Sequence, residues 1–233
     1  MYKNSAFYFV GLFGIAIIGF WQSYFSKFFD TLKFNAIDGY IHFHAATMVL
    51  WMLLLISQPL LIRFKKHSLH RLLGKSSFIL VPLVIISLIL LAHSQIVLGD
   101  YGVSYNRLYI LFLQLSLLVI FVIAYSLAMI NRKNPARHAR YMIATSLTLI
   151  DPAVARLPID LPSIPFSYQV YTFSLIDLIL VILIIAEYRQ QRGRDVFPIM
   201  LVIFVFFQSL NLTWTRSDLW DSFALWFAML PLT

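Results

Sequence analysis

The sequence predicts an all-α fold: a polytopic transmembrane bundle of about seven helices, with the N-terminus inside and the C-terminus outside. Three observations lead there. The 233 residues are 61% hydrophobic and only 12% charged, where soluble domains carry about 25% charged residues. The apolar residues form long unbroken runs, not alternating ones, which points to spanning helices and away from a membrane barrel. Lys and Arg gather in alternate loops. The same composition excludes a water-soluble enzyme, a disordered chain and a nucleic-acid module. With no cysteine in the chain, thiol catalysis, Cys-zinc sites and iron–sulfur clusters are excluded as well.

The expected spans follow the apolar runs in order: Ser5–Phe25, Ile41–Ile62, Ser76–His93, Leu108–Ile130, Tyr141–Leu157, Phe166–Ala186 and Val196–Leu212. The first is long and aromatic and lacks a small-x-small cleavage site after it, so it reads as a retained helix. The fifth is interrupted near its far end by Asp151-Pro152 and Arg156. Beyond the seventh, residues 213–233 hold Trp214, Trp220, Phe223, Trp226 and Phe227 with Asp218 and Asp221 between them, the pattern of an amphipathic interfacial helix. No repeat or linker divides the chain, so residues 1–233 form a single membrane domain, with a His-rich core over 41–157.

The loops orient the bundle. If the first span starts inside, the outer segments keep only Lys27, Lys33, Arg107, Arg156 and Arg216. Every other Lys and Arg falls at the inner end, chiefly at 63–75, 132–140 and 189–194. The positive-inside rule therefore gives N-in, C-out. The net charge of +8 is a topology signal spread over three loops, with attraction to anionic lipid heads, and it predicts no nucleic-acid partner. The expected location is the cytoplasmic (inner) membrane, with the bilayer as the one certain partner.

Polar residues within spans are costly and often functional. By depth, His44, His93, Asp151 and Arg156 fall in the outer leaflet, Asp177 lies deeper in the sixth span, and His70, Arg71, His138 and Arg140 lie at the inner end. His42 and His44 are two apart and point roughly 200° from each other on a helix, so only one faces the bundle. His44 is that one, because stepping by three or four from it meets Met48, Trp51, Leu55 and Gln58. Histidines on different helices at one depth are suited to axial haem ligation, which gives two candidate pairs, His44 with His93 and His70 with His138. Alternatively His44, His93 and Asp151 supply donors for zinc or copper. Gln114 is explained by an inter-helix hydrogen bond. No metalloprotease, nucleophile-elbow, P-loop or dinucleotide motif occurs, so an enzymatic activity is left open.

Two stretches carry a resemblance. One runs from His44 through Trp51 and Gln58-Pro59 to His70-Arg71-Leu72-Leu73-Gly74; the other is His138-Ala139-Arg140-Tyr141-Met142, followed by Arg156. Together they resemble a family of bacterial polytopic membrane proteins catalogued as a domain of unknown function, with His-Arg-x-x-Gly and His-x-Arg-x-Met elements. The resemblance covers roughly residues 41–157 and implies that His44, His70, Arg71, His138, Arg140 and Arg156 belong to a shared site or scaffold. The histidine pairs also resemble those of transmembrane di-haem cytochromes of the ascorbate-reducing type, although His70 and His138 read as lying in or beside inner loops. The leading expectation is a membrane redox protein holding haem b, or zinc or copper, with its histidines. The alternatives are a small transporter with a polar path at Asp177, Asp151 and Arg156, and a structural or partner-binding subunit.

Overall fold

A computed structural model describes residues 4–96, 98–99, 102–160, 162, 168–189 and 193–233. The expected start of the sixth span at Phe166, and Lys3 and Arg192 of the inner charge set, lie outside the described residues. Among the described residues the regular structure is helical apart from a minimal antiparallel hairpin, β1 (Leu98–Gly99) and β2 (Gly102–Val103). The helices are α1 (Ser5–Gly19), α2 (Thr31–Asn35), α3 (Gly39–Arg63), α4 (His67–Ser94), α5 (Tyr105–Ile130), α6 (Pro135–Leu147), α7 (Ile150–Val154), α8 (Gln169–Glu187), α9 (Val196–Thr213) and α10 (Asp218–Ala228). Among the described residues, five of these (α3, α4, α5, α8 and α9) are long and apolar enough to cross a membrane. The chain is therefore a multi-pass helical membrane protein whose outer faces contact lipid.

Local chemistry sets the helix ends. The α3–α4 turn closes with Lys65 NH on the Ile62 carbonyl and Lys66 NH on the Leu61 carbonyl, at 3.0 and 2.8 Å. This is the paired hydrogen-bond pattern that ends helices in a left-handed residue, here Lys65 at φ 59° where glycine is usual. Because the turn is so tight, α4 starts at His67, nine residues ahead of the expected Ser76 start of the span. His70 and Arg71 are therefore helical, not in a loop. Asn134 accepts from Arg137 NH at 3.3 Å and Pro135 occupies the first turn of α6, which likewise draws His138 into a helix.

The expected fifth span is broken into α6 and α7, with Thr148 and Leu149 between them. The hydroxyls of Thr145, Ser146 and Thr148 each donate to the carbonyl three residues back, at 2.7, 2.6 and 2.8 Å. Such back-bonding competes with the helix ladder. Pro152 then has no NH to offer the Thr148 carbonyl. The first expected span is also shorter than read: α1 ends at Gly19, and turns followed by a 3-10 helix, Phe25–Phe29, carry the chain to Asp30.

The rods alternate in direction. At one end Arg63 donates to Asn4 of α1 at 3.3 Å, and α6 meets the α8–α9 connection. At the other end Tyr24 bonds His42 at 2.9 Å and the tail covers α4 and α5. Trp51, Leu55, Ile120, Leu147, Ile176 and Phe204 fill the core between them. Gly19 permits the closest crossing, since a Cβ there would stand 2.3 Å from the Ala153 carbonyl oxygen of α7.

A buried ion pair fastens the end that carries Arg63, the one the loop charges mark as inner. Arg140 is fully buried and its Nε donates to Glu187 at 2.5 Å, while its Nη1 donates to the Ala136 carbonyl at 2.7 Å. Beside it Arg137 meets Asp195 at 2.8 Å, near the solvent. Gly193, at φ 75°, lies so close that a Cβ would be 2.8 Å from Arg140 Nη1. Removing one partner of a buried pair strands the other charge, at a cost of about 3–5 kcal/mol, whereas replacing both with apolar residues costs far less. Arg140→Met and Glu187→Leu are thus each expected to destabilise strongly and the double variant less than either. Thermal unfolding in detergent measures this, and additive losses would contradict it.

Candidate functional site in the inner seam

Four helices, α3 to α6, build a polar seam toward the inner end. Its deeper layer is aromatic. The Trp51 ring is fully buried with its centroid 5.1 Å from Phe121 and 6.0 Å from Tyr125, both near edge-on. Ser77 donates its one proton to the Gly74 carbonyl at 2.7 Å, so at 2.8 Å it is the Tyr125 hydroxyl that donates to Ser77.

About two turns nearer the inner end, roughly 10 Å along the axes, lie Gln58 on α3, His70 on α4 and His138 on α6. The Gln58 side-chain oxygen sits 3.7 Å from where a Gly74 Cβ would stand. The Gln58 main-chain carbonyl approaches the His70 imidazole, and His138 is within electrostatic range of it. His138 Nδ1 lies 2.9 Å from the Ala128 carbonyl. A carbonyl only accepts, so Nδ1 carries the proton and Nε2 of the neutral ring holds the lone pair. Metal-binding histidines are commonly oriented in this way.

Three buried polar atoms in this seam have no hydrogen-bond partner: Trp51 Nε1, Gln58 Nε2 and His70 Nδ1. Native structures leave few such atoms, because each costs about 1–3 kcal/mol. Three others, His93 Nε2, Gln114 Oε1 and Asn211 Oδ1, are scattered over α4, α5 and α9.

The remaining sequence candidates go to separate partners. His44 bonds Ser87 of α4 at 3.2 Å, while His42 turns to Tyr24, which matches the expectation that only His44 faces the bundle. His93 lies six residues beyond Ser87, about 9 Å further along α4. Its Nδ1 is 2.6 Å from the Thr233 hydroxyl and its ring packs on Phe227. The structure therefore does not bring His44 and His93 to one another. Asp151, buried, accepts from the Thr172 hydroxyl of α8. Among the described residues no three His, Asp or Glu side chains converge as a metal would require. Arg156 donates to the Pro152 carbonyl at 2.8 Å and is within electrostatic range of both Asp151 and His44. Asp177 pairs with Gln208 of α9 at 3.2 Å, apart from Asp151 and Arg156. Gln114 bonds Gln95 at 3.0 Å, the inter-helix contact its position required. Arg71 is exposed and takes no part in the seam.

Two partners were not anticipated from sequence. Glu187 is the counter-ion of Arg140; the signal was an acid at the inner end of the sixth span, level with the basic loop. Tyr125 and Ser77 complete the aromatic layer but look like ordinary span residues in sequence. No known protein family, characterised protein or solved structure matches the chain.

The orphaned Gln58 amide makes a test. In protein freed of any bound group, Gln58→Leu is expected to raise stability by about 1–3 kcal/mol, because an unmet buried donor is replaced by an apolar group of similar size. Thermal unfolding measures it, and a loss of stability would mean that the amide already has a protein partner.

Proposed function

We propose that this is a membrane redox protein whose inner seam holds haem b between His70 and His138. The observation that carries the reading is that His70 of α4 and His138 of α6 lie within electrostatic range of one another beside buried polar atoms that the protein leaves unpaired, with the Ala128 carbonyl on His138 Nδ1. Two imidazoles suit haem better than a bare zinc or copper ion. The porphyrin fills four metal positions and asks the protein for only one or two axial ligands, whereas zinc wants three or four protein donors.

In this reading His70 and His138 would hold the haem iron. The Ala128 carbonyl, 2.9 Å from His138 Nδ1, holds His138 in the tautomer that leaves Nε2 free. Gln58 Nε2 and Trp51 Nε1 are donors available to the polar edge of the group. Trp51, Phe121 and Tyr125 exclude water on the deeper side. The haem, when bound, supplies one-electron transfer.

The reading extends to topology. Seven rods (α1, α3, α4, α5, α6 with α7, α8 and α9) cross a cytoplasmic membrane with the N-terminus inside, supported by the loop charges and by the alternation of rod ends. The chain lacks cysteine, so single labels test it cleanly. Lys133→Cys is expected to react with an impermeant thiol reagent only in opened cells, and Asp218→Cys in intact ones. The reverse pattern would invert the topology.

Oxidised and reduced absorption spectra of protein purified from haem-replete cells test the cofactor. The expected result is a Soret band that sharpens and shifts on reduction, is lost in His70→Ala and His138→Ala, and persists in His44→Ala and His93→Ala. A colourless protein, or a band that survives both inner substitutions, would overturn the assignment. Stoichiometric zinc or copper without a Soret band would transfer the site to a bare ion.

A further inference from the structure

A second site lies on the opposite flank of the bundle and does not depend on the haem reading. Helices α1, α7 and α8 leave an apolar groove of about 350 Å³ between them, within the size range of ligand pockets. Gly11 and Ile15 form one wall, Ile150 and Val154 the floor, and Leu175 and Ile179 the other wall. At its outer end α1 closes onto α7, where Gly19 meets the Ala153 carbonyl.

Arg156 stands just beyond that closure. Its Cβ is 3.6 Å from the place a Gly19 Cβ would take, and its guanidinium lies 4.6 Å above the Phe20 ring. One of its five donors is spent on the Pro152 carbonyl. Asp151, the nearest acid, gives its carboxylate to Thr172 instead. Among the described residues no carboxylate is in ion-pair contact with Arg156. An exposed arginine thus sits at the outer end of a lipid-facing apolar groove with donors to spare.

We propose that this groove seats one acyl chain of an anionic phospholipid whose phosphate is bound by Arg156. The chemistry fits at both ends. The lining is apolar except for Tyr8, whose hydroxyl is engaged with Ser146 at 3.3 Å, and the guanidinium matches phosphate in charge and in its fork of donors. A bilayer supplies such a molecule at the right depth, with its head at the interface and its chain inside.

Gly11 allows the groove to be filled without disturbing the fold, because a Cβ there meets nothing within 4 Å. Gly14 is equally open but does not line the groove, which makes it the matched control. The experiment is native mass spectrometry of the full chain in detergent micelles containing dioleoyl phosphatidylglycerol. The natural sequence should carry a one-to-one lipid adduct that survives stripping of the micelle. Gly11→Leu and Arg156→Gln should each weaken it by about tenfold or more, as loss of a charge-assisted contact implies for the latter. Gly14→Leu and Arg156→Lys should keep it. If Gly11→Leu does not fold, Ile15→Phe fills the same groove in its place. No persistent adduct, or an adduct unchanged in both Gly11→Leu and Arg156→Gln, would overturn the proposal. Loss in Arg156→Gln alone would also overturn it, because the head group would then bind without a seated chain.

Discussion

A polar atom inside a bilayer has no water to turn to, and this one constraint organises the molecule. Backbone groups meet it by forming helices. Side chains meet it by pairing across helices: Arg140 with Glu187, His44 with Ser87, Asp151 with Thr172, Asp177 with Gln208, and Tyr125 with Ser77. Each of these contacts joins two different helices, so polar satisfaction also helps to fix which helices are neighbours. Among the described residues six buried side-chain atoms stay unpaired, and three of them, Trp51 Nε1, Gln58 Nε2 and His70 Nδ1, lie in the seam between α3 and α6.

The same constraint explains the irregular elements. The break between α6 and α7 frees main-chain carbonyls, and the hydroxyls of Thr145, Ser146 and Thr148 accompany it. The break also bends the chain so that Asp151 reaches α8 while Ala153 remains against Gly19 of α1. A straight helix through this region would carry Asp151 past its partner. At the other extreme the tail is satisfied by an indole: Trp220 Nε1 donates to the Leu108 carbonyl at 3.0 Å, seating α10 on the outer end of α5.

Much of this was legible in the sequence, because apolar run length reports spanning helices directly. The five long helices fall where the runs are, and the aromatic tail does form a helix, α10. The boundaries were less legible. Run length stops at the first charges, yet α4 continues through Lys75, Arg71 and His70 to His67, since helices extend beyond the hydrocarbon. That extension moved His70 from a loop into a helix, as the start of α6 at Pro135 did for His138. Depth arithmetic grouped His44 with His93 but carried no information on rotation or partner: His44 of α3 bonds Ser87, and His93 lies six residues, about 9 Å, beyond Ser87 along α4. His70, Gln58 and Gly74 do meet, at a level where depth arithmetic had placed only the histidine. Glu187 and Tyr125 escaped notice because their importance lies in the partner opposite, which one sequence does not reveal.

The central claim is that the inner seam is completed by something other than protein. An experimental density map of the chain in lipid nanodiscs tests it most directly. The account predicts non-protein density within bonding distance of His70 Nδ1 and His138 Nε2, with Gln58 Nε2 and Trp51 Nε1 facing it. A seam packed shut, with His70 Nδ1 hydrogen-bonded to a protein group, would contradict it.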